Sequence, residues 1–195
     1  MQSGLALSAA CAAGQAIFPS TAGAAQSQLL RLDLFVFDRR FAEAVDVARH
    51  VAGKGVPTTQ VAGDMMGLWY DHLDLQWKRQ PAAVAGMTTL DGLFVLETLA
   101  ADHRMRVVYR GEHRTPRDGQ VSHALRGPAS LIRPMSRADA SLWRPMLARA
   151  MTRCPLGAPS IGELDLKTRA EPASLREAPL YSWIIAPRTS VALRV

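Results

Sequence analysis

From residue 32 onward the chain alternates strand and helix signals, and that alternation restricts its fold more than any other feature. Residues 32–37 (Leu-Asp-Leu-Phe-Val-Phe) are mostly apolar and rich in strand formers, as in a buried strand. Residues 40–53 place Phe41, Ala44, Val45, Ala48, Val51 and Ala52 on one helical face. Gly53-Lys54-Gly55 then ends the helix, as glycine commonly does. Residues 56–61 read as a second short strand. The chain thus opens β-α-β, with a helix long enough to cross over between parallel strands.

The pattern continues. Residues 65–73 predict a short helix or turn carrying Trp69 and Tyr70, residues 76–81 a polar loop, and residues 82–87 a third strand. A helix over 90–101, capped at Thr88 or Thr89, is apolar on nearly all sides and is expected to be well buried. Residues 105–110 form a fourth strand. Thr115 to Gly119 is a turn signal, and residues 120–125 return as a hairpin arm. A helix spans 136–153, where Pro145 either kinks it or marks its true start. Residues 155–179, with four prolines, read as a long loop, and residues 180–186 as a late strand. The expected class is α/β: a mainly parallel, Rossmann-like sheet flanked by helices, with an antiparallel hairpin or edge strand.

The opening of the chain has a different character. No charged residue precedes Arg31. Residues 5–18 form a mild, Ala-rich apolar run. Ala22-Gly23-Ala24 or Gly23-Ala24-Ala25 then supplies a small-residue exit of the A-x-A kind. Residues 1–7 (Met-Gln-Ser-Gly-Leu-Ala-Leu) resemble the part of a bacterial twin-arginine (Tat) signal peptide that follows its arginine pair. The basic n-region itself is missing, so the reading implies a start a few codons upstream or a trimmed chain. The remainder loosely resembles bacterial proteins grouped only by such a signal, which implies no activity. The expected organisation is a signal peptide over 1–26, an α/β domain over 27–154, and a Pro-containing loop with a terminal strand over 155–195 that packs on the same domain or on a partner. Pro19, Gly14 and Gln15 interrupt the apolar run, so no stable membrane span is expected after cleavage. The implied location is periplasmic or otherwise extracytoplasmic.

Charge and cysteine content narrow the classes further. The net charge of +6 comes largely from arginine, and lysine occurs only at Lys54, Lys78 and Lys167. These charges are scattered, with no basic run and no interleaved aromatic stripe, so nucleic acid is not an expected partner. A small anionic ligand remains compatible. Removal of residues 1–26 takes Cys11 away and leaves Cys154 alone, so neither an internal disulfide nor a cysteine-based zinc site is expected.

In open α/β sheets, ligands bind beyond the carboxyl ends of the strands. The strands predicted here end at Asp38, at Asp64, at Thr88 and Thr89, and at Arg110, Glu112 and His113. These seven residues are the candidate ligand-binding rim. Asp38, Asp64 and Thr88 are equally ordinary helix N-caps. Across the predicted hairpin, residue 113 faces residue 122 or 123, which brings an imidazole near Glu112 or His113. That group reads either as a divalent-metal set or as a hydrogen-bonded pair, and no metal is assigned. Dinucleotide, Walker and G-x-S-x-G motifs are absent. The strand ending at Asp38 lacks a second aspartate two positions on, where Arg40 stands, so aspartyl-phosphate chemistry is set aside. No catalytic residue or cofactor is assigned.

Three functions fit these features. The first is an exported, non-catalytic accessory protein travelling with a larger redox enzyme subunit, with residues 180–195 as an arm on that partner. The second is a periplasmic small-molecule or anion-binding domain. The third is a metal-assisted enzyme built on the rim.

Overall fold

A computed structural model describes residues 29–115, 119–139, 141–155, 160–169 and 178–188. The expected signal segment lies outside the described residues. The strands are β1 (Leu32–Asp38), β2 (Thr58–Val61), β3 (Ala83–Thr88), β4 (Met105–Arg114), β5 (Gln120–Pro128), β6 (Ile161–Arg169) and β7 (Leu180–Pro187). The helices are α1 (Ala42–Ala52), α2 (Met66–Leu68), α3 (Asp74–Arg79), α4 (Leu90–Asp102), α5 (Ala129–Ile132) and α6 (Trp143–Met151). A π-helical turn, Trp69–Leu73, joins α2 to α3, and a 3₁₀ turn, Arg133–Arg137, follows α5.

All seven strands form one sheet in the order β2-β1-β3-β7-β4-β5-β6. The opening β-α-β is parallel, as the crossover helix predicts, and β1 also pairs in parallel with β3. The remaining pairings, β3–β7, β7–β4, β4–β5 and β5–β6, are antiparallel. The fold is therefore mixed α/β, and the expectation of a mainly parallel sheet is corrected. One cause is the tight connection after β4, which is far too short for a crossover and can return the chain only antiparallel. The other is β7, buried along nearly its whole length. Such a strand needs cover on both faces and finds it between β3 and β4. Up to Pro187, then, the apolar segment expected as an arm for a partner is a central strand.

Phe35 and Val36, neighbours in sequence, point to opposite faces and enter different cores. On one face α1, α5 and α6 cover Phe35, Tyr109 and Leu125, with Trp143 and Leu147 from α6. An Arg144–Asp46 contact of 3.9 Å joins α6 to α1. On the other face α2, α3 and α4 cover Val36, Val84, Trp183 and Ile185. Over β5 and β6 this second face is open, and Arg126, Glu163, Asp165 and Lys167 are exposed there.

Three further expectations change. Residues 76–79 of the expected 76–81 loop are helical as part of α3, because Trp69, Leu73 and Trp77 continue one buried stripe at four-residue spacing. The segment taken as a long loop contains β6. Helix α4 buries Gly92, Leu93, Leu96 and Ala100 but exposes Leu90 and Phe94, so it is one-sided. Pro145 is the third residue of α6, where its missing N–H costs nothing, and so it marks the true start. Among the described residues no helix is long and apolar enough to cross a membrane.

Candidate functional site

The predicted rim residues settle into separate local pairings. Asp38 is fully buried. Its Oδ1 accepts the Arg40 backbone N–H at 3.0 Å and Nε–H at 2.9 Å, and Oδ2 accepts Nη2–H at 2.5 Å. Gly63, at φ 95°, leaves room for this guanidinium, since a Cβ there would lie 2.8 Å from Nη2. Asp64 is exposed and accepts the Met66 N–H at 2.8 Å, starting α2. Thr88 is buried. Its hydroxyl accepts the Trp183 indole N–H at 2.9 Å and donates to the Thr89 carbonyl at 3.2 Å. Thr89 holds the extended N-cap position of α4 without a side-chain cap bond. Arg110 pairs with Glu97 of α4, and Glu112 pairs with Arg114. Arg126 also has an acid partner, Glu163 at 3.3 Å.

His113 lies on the opposite face of β4 from Arg110 and Glu112, because side chains alternate along a strand. There it enters the core beneath α6. The hairpin register sets His113 directly against His123. Their Nδ1 atoms are 2.7 Å apart. His113 Nε2 lies 2.8 Å from Ser182 Oγ, and His123 Nε2 lies 2.9 Å from Thr168 Oγ1. Ser182 Oγ in turn lies 3.1 Å from the Tyr109 hydroxyl. Four strands thus contribute to one buried chain, Tyr109–Ser182–His113–His123–Thr168. Gly111 makes the crossing possible: a Cβ there would fall 2.5 Å from Ser182 Oγ and 2.7 Å from the Tyr109 oxygen. Trp143 packs against both imidazoles, its ring 5.4 Å from the His113 ring and 4.8 Å from that of His123. Asp139 holds the start of α6, accepting the Ser141 and Leu142 N–H groups at 2.9 Å each.

Burial dominates the electrostatics. It holds His113 well below the ordinary imidazole range, with the neighbouring His123 adding to the effect. It lowers His123 to about 4. Burial likewise raises the Tyr109 phenol, partly offset by Ser182. Both imidazoles are therefore neutral at pH 7, and one Nδ1 must donate to the other. If Ser182 donates to His113 Nε2, then His113 Nδ1–H donates to His123, whose Nε2–H donates to Thr168. Reversing one bond reverses all of these. The facing Nδ1 atoms share one proton between them, since a second would set N–H against N–H.

As a metal set this arrangement fails on geometry. Two nitrogens on one tetrahedral zinc stand about 3.3 Å apart, given bonds of about 2.0–2.1 Å, whereas these nearly touch. Glu112, the expected carboxylate, is on the other face. Among the described residues no group of three or more His, Cys, Asp or Glu could hold a metal ion.

No family model, curated protein or solved structure matches this chain. Its chemistry must be judged from the geometry alone. Ser182, His113 and His123 do reproduce the nucleophile–base–orienter distances of acyl-transfer enzymes. Yet Ser182 has no exposed surface and sits on a central strand between β3 and β4. The sequence reading found His113 and His123 but missed Tyr109, Thr168, Trp143 and Ser182. The available signal was Ser182 itself, a hydroxyl inside the otherwise apolar run 180–186.

The helical layer offers a second site. Met65 of the α2 start approaches Gly92 of α4 closely, since a Cβ on Gly92 would lie 2.8 Å from its Cε. Met65, Leu68, Trp69, Leu93 and Leu96 turn inward. Several outward residues are also large and apolar, Met66 at 39% exposed, Tyr70 at 65%, Leu90 at 47% and Phe94 at 65%, among exposed Asp71, His72, Asp91 and Thr98.

Proposed function

We propose that this chain is an exported, non-catalytic accessory protein that binds a larger exported enzyme subunit through its α2–α4 face. The observation that carries the reading is Leu90 and Phe94, exposed four residues apart on α4, with Met66 of α2 and Tyr70 of the following π-helical turn exposed at the same spacing. Large apolar side chains gathered on a surface favour association with another apolar surface. The Tat-like residues 1–26 support export, and that route carries proteins already folded, alone or with a companion. The parallel triplet β2–β1–β3 with its helices is the part we read as Rossmann-like. The competing anion-binding reading draws on Arg110 and Arg114, but each already has an acid partner. The metal-assisted enzyme reading draws on Asp38, Asp64, Glu112 and His113, but Asp38, Asp64 and Glu112 have local partners and His113 is buried.

The native protein from its own cells tests this. It should elute from size exclusion with a second, larger chain, and Phe94→Asp with Tyr70→Ser should release it without loss of secondary structure. Elution with no second chain overturns the accessory role. Labelling of Ser182 by a serine-directed phosphonate overturns the non-catalytic one. N-terminal sequencing should find a mature end near residue 26, and recovery of the intact Met1 end from cytosol defeats the export reading.

A further inference from the structure

Strand β6 closes the sheet at one end, and among the described residues only β5 pairs with it. Among the described residues no strand pairs with its other edge, and such edges are where further strands add. The strand alternates cleanly. Ile161, Glu163, Asp165, Lys167 and Arg169 are exposed, whereas Leu164 and Leu166 are half-buried against the core and Thr168 is buried.

The charges along the exposed face run acid, acid, base, base. For two antiparallel copies of β6 related by a two-fold axis at Leu166, Asp165 stands opposite Lys167 and Glu163 opposite Arg169, each pair occurring twice. Leu166 then meets its own copy, and Leu164 meets Thr168. The neighbouring registers are poorer. A centre at Asp165 keeps two Glu163–Lys167 pairs but sets that carboxylate against itself, one at Lys167 keeps two Asp165–Arg169 pairs but sets two ammonium groups together, and one at Leu164 sets Glu163 against Asp165. Parallel in-register pairing opposes every like charge. Since directly opposed charges stabilise when unlike and destabilise when alike, the pattern favours the Leu166 register, in which no like charges face each other. The Arg126–Glu163 contact does not compete seriously, because both side chains are 74% exposed and such pairs contribute little.

We propose that β6 is a self-association edge through which two copies of this chain form a two-fold dimer with one continuous sheet. This surface is the sheet edge, separate from the α2–α4 face, so the two readings stand or fall independently.

Sedimentation of the purified chain alone is the test. The wild type should sediment as a dimer in the micromolar range. Asp165→Lys and Lys167→Asp should each weaken dimerisation about tenfold or more, because both symmetric pairs turn repulsive. Mixing these two variants in equal amounts should restore the dimer, as should both substitutions in one chain, since each charge again meets its opposite. If either variant fails to fold by circular dichroism, Glu163→Lys and Arg169→Glu probe the outer pair in the same way. A monomeric wild type, single variants that dimerise like wild type, or a mixture that stays monomeric would each overturn the proposal.

Discussion

Acid should unfold this protein earlier than its carboxylates alone would require, because its core holds two neutral imidazoles. An unfolded histidine titrates near 6.5, whereas His123 in the folded state is lowered to about 4. Between these values the unfolded chain binds the extra proton and the folded one does not, so stability rises with pH. The contribution is fully present above about pH 6.5 and is lost as the pH falls to about 4. For His123 alone it amounts to about 3 kcal/mol, a large share of the roughly 5–15 kcal/mol by which domains are folded. His113 is shifted in the same direction and adds to it. Urea unfolding at intervals from about pH 7 to about pH 5 should therefore show stability falling by up to about 1.4 kcal/mol per pH unit per histidine. Trp143, packed on both rings, supplies the fluorescence signal. The control replaces both histidines with leucine. That variant leaves Ser182 and Thr168 short of partners, at about 1–3 kcal/mol each, so its overall stability is lower. Its pH slope, however, should flatten, and the remaining histidines cancel in the comparison. An unchanged slope in the double variant, or folded-state NMR titration of both rings near 6.5, would refute the reasoning.

Three other outcomes follow from single contacts. Gly111→Ala drives a methyl group into Ser182 Oγ and the Tyr109 hydroxyl and should cost about 1–3 kcal/mol in urea unfolding. Thr88→Val leaves the buried Trp183 indole N–H without its acceptor and should lower calorimetric stability by about 1–3 kcal/mol. Cys154 is buried, with its thiol pushed up to about 12, so a disulfide reagent at neutral pH should label it only after denaturation.

The sequence revealed the β-α-β opening and the hairpin, and narrowed the residue facing His113 to 122 or 123, because each rests on a local signal. A helical stripe, a turn and the alternation of a strand all lie within a few residues. The position of β7 has no such signal. Its apolar run shows that it is buried on both faces, but only the gap left between β3 and β4 decides where it goes. Strand β6 failed for a different reason. The prolines flanking it drew the reading toward a loop, although residues 163–167 alternate charged and apolar with period two. At the rim, residue types were read as a shared pocket, while short-range partners such as Arg40 for Asp38 and Arg114 for Glu112 had already claimed them. Helix α4 misled because its high apolar content hid the difference between its buried and outward faces.

The buried chain is better explained by strand alignment than by catalysis. A serine nucleophile needs an acyl carbon about 3 Å away, with donors ready for the oxyanion. Gly111 and the Tyr109 hydroxyl already crowd Ser182, and its remaining surface is enclosed. What the chain does accomplish is a link across β7, β4, β5 and β6 through single side chains. Sliding any of these strands by one residue turns its member to the opposite face and leaves its partners buried and unpaired. Each such loss costs about 1–3 kcal/mol, enough to separate the native register from its nearest competitors. Apolar contacts alone discriminate less well here, since β7 is apolar at adjacent positions on both faces. Leu166 and Thr168 on β6 come into register through the same chain, so the histidine pair also fixes the alignment of the edge on which self-association depends.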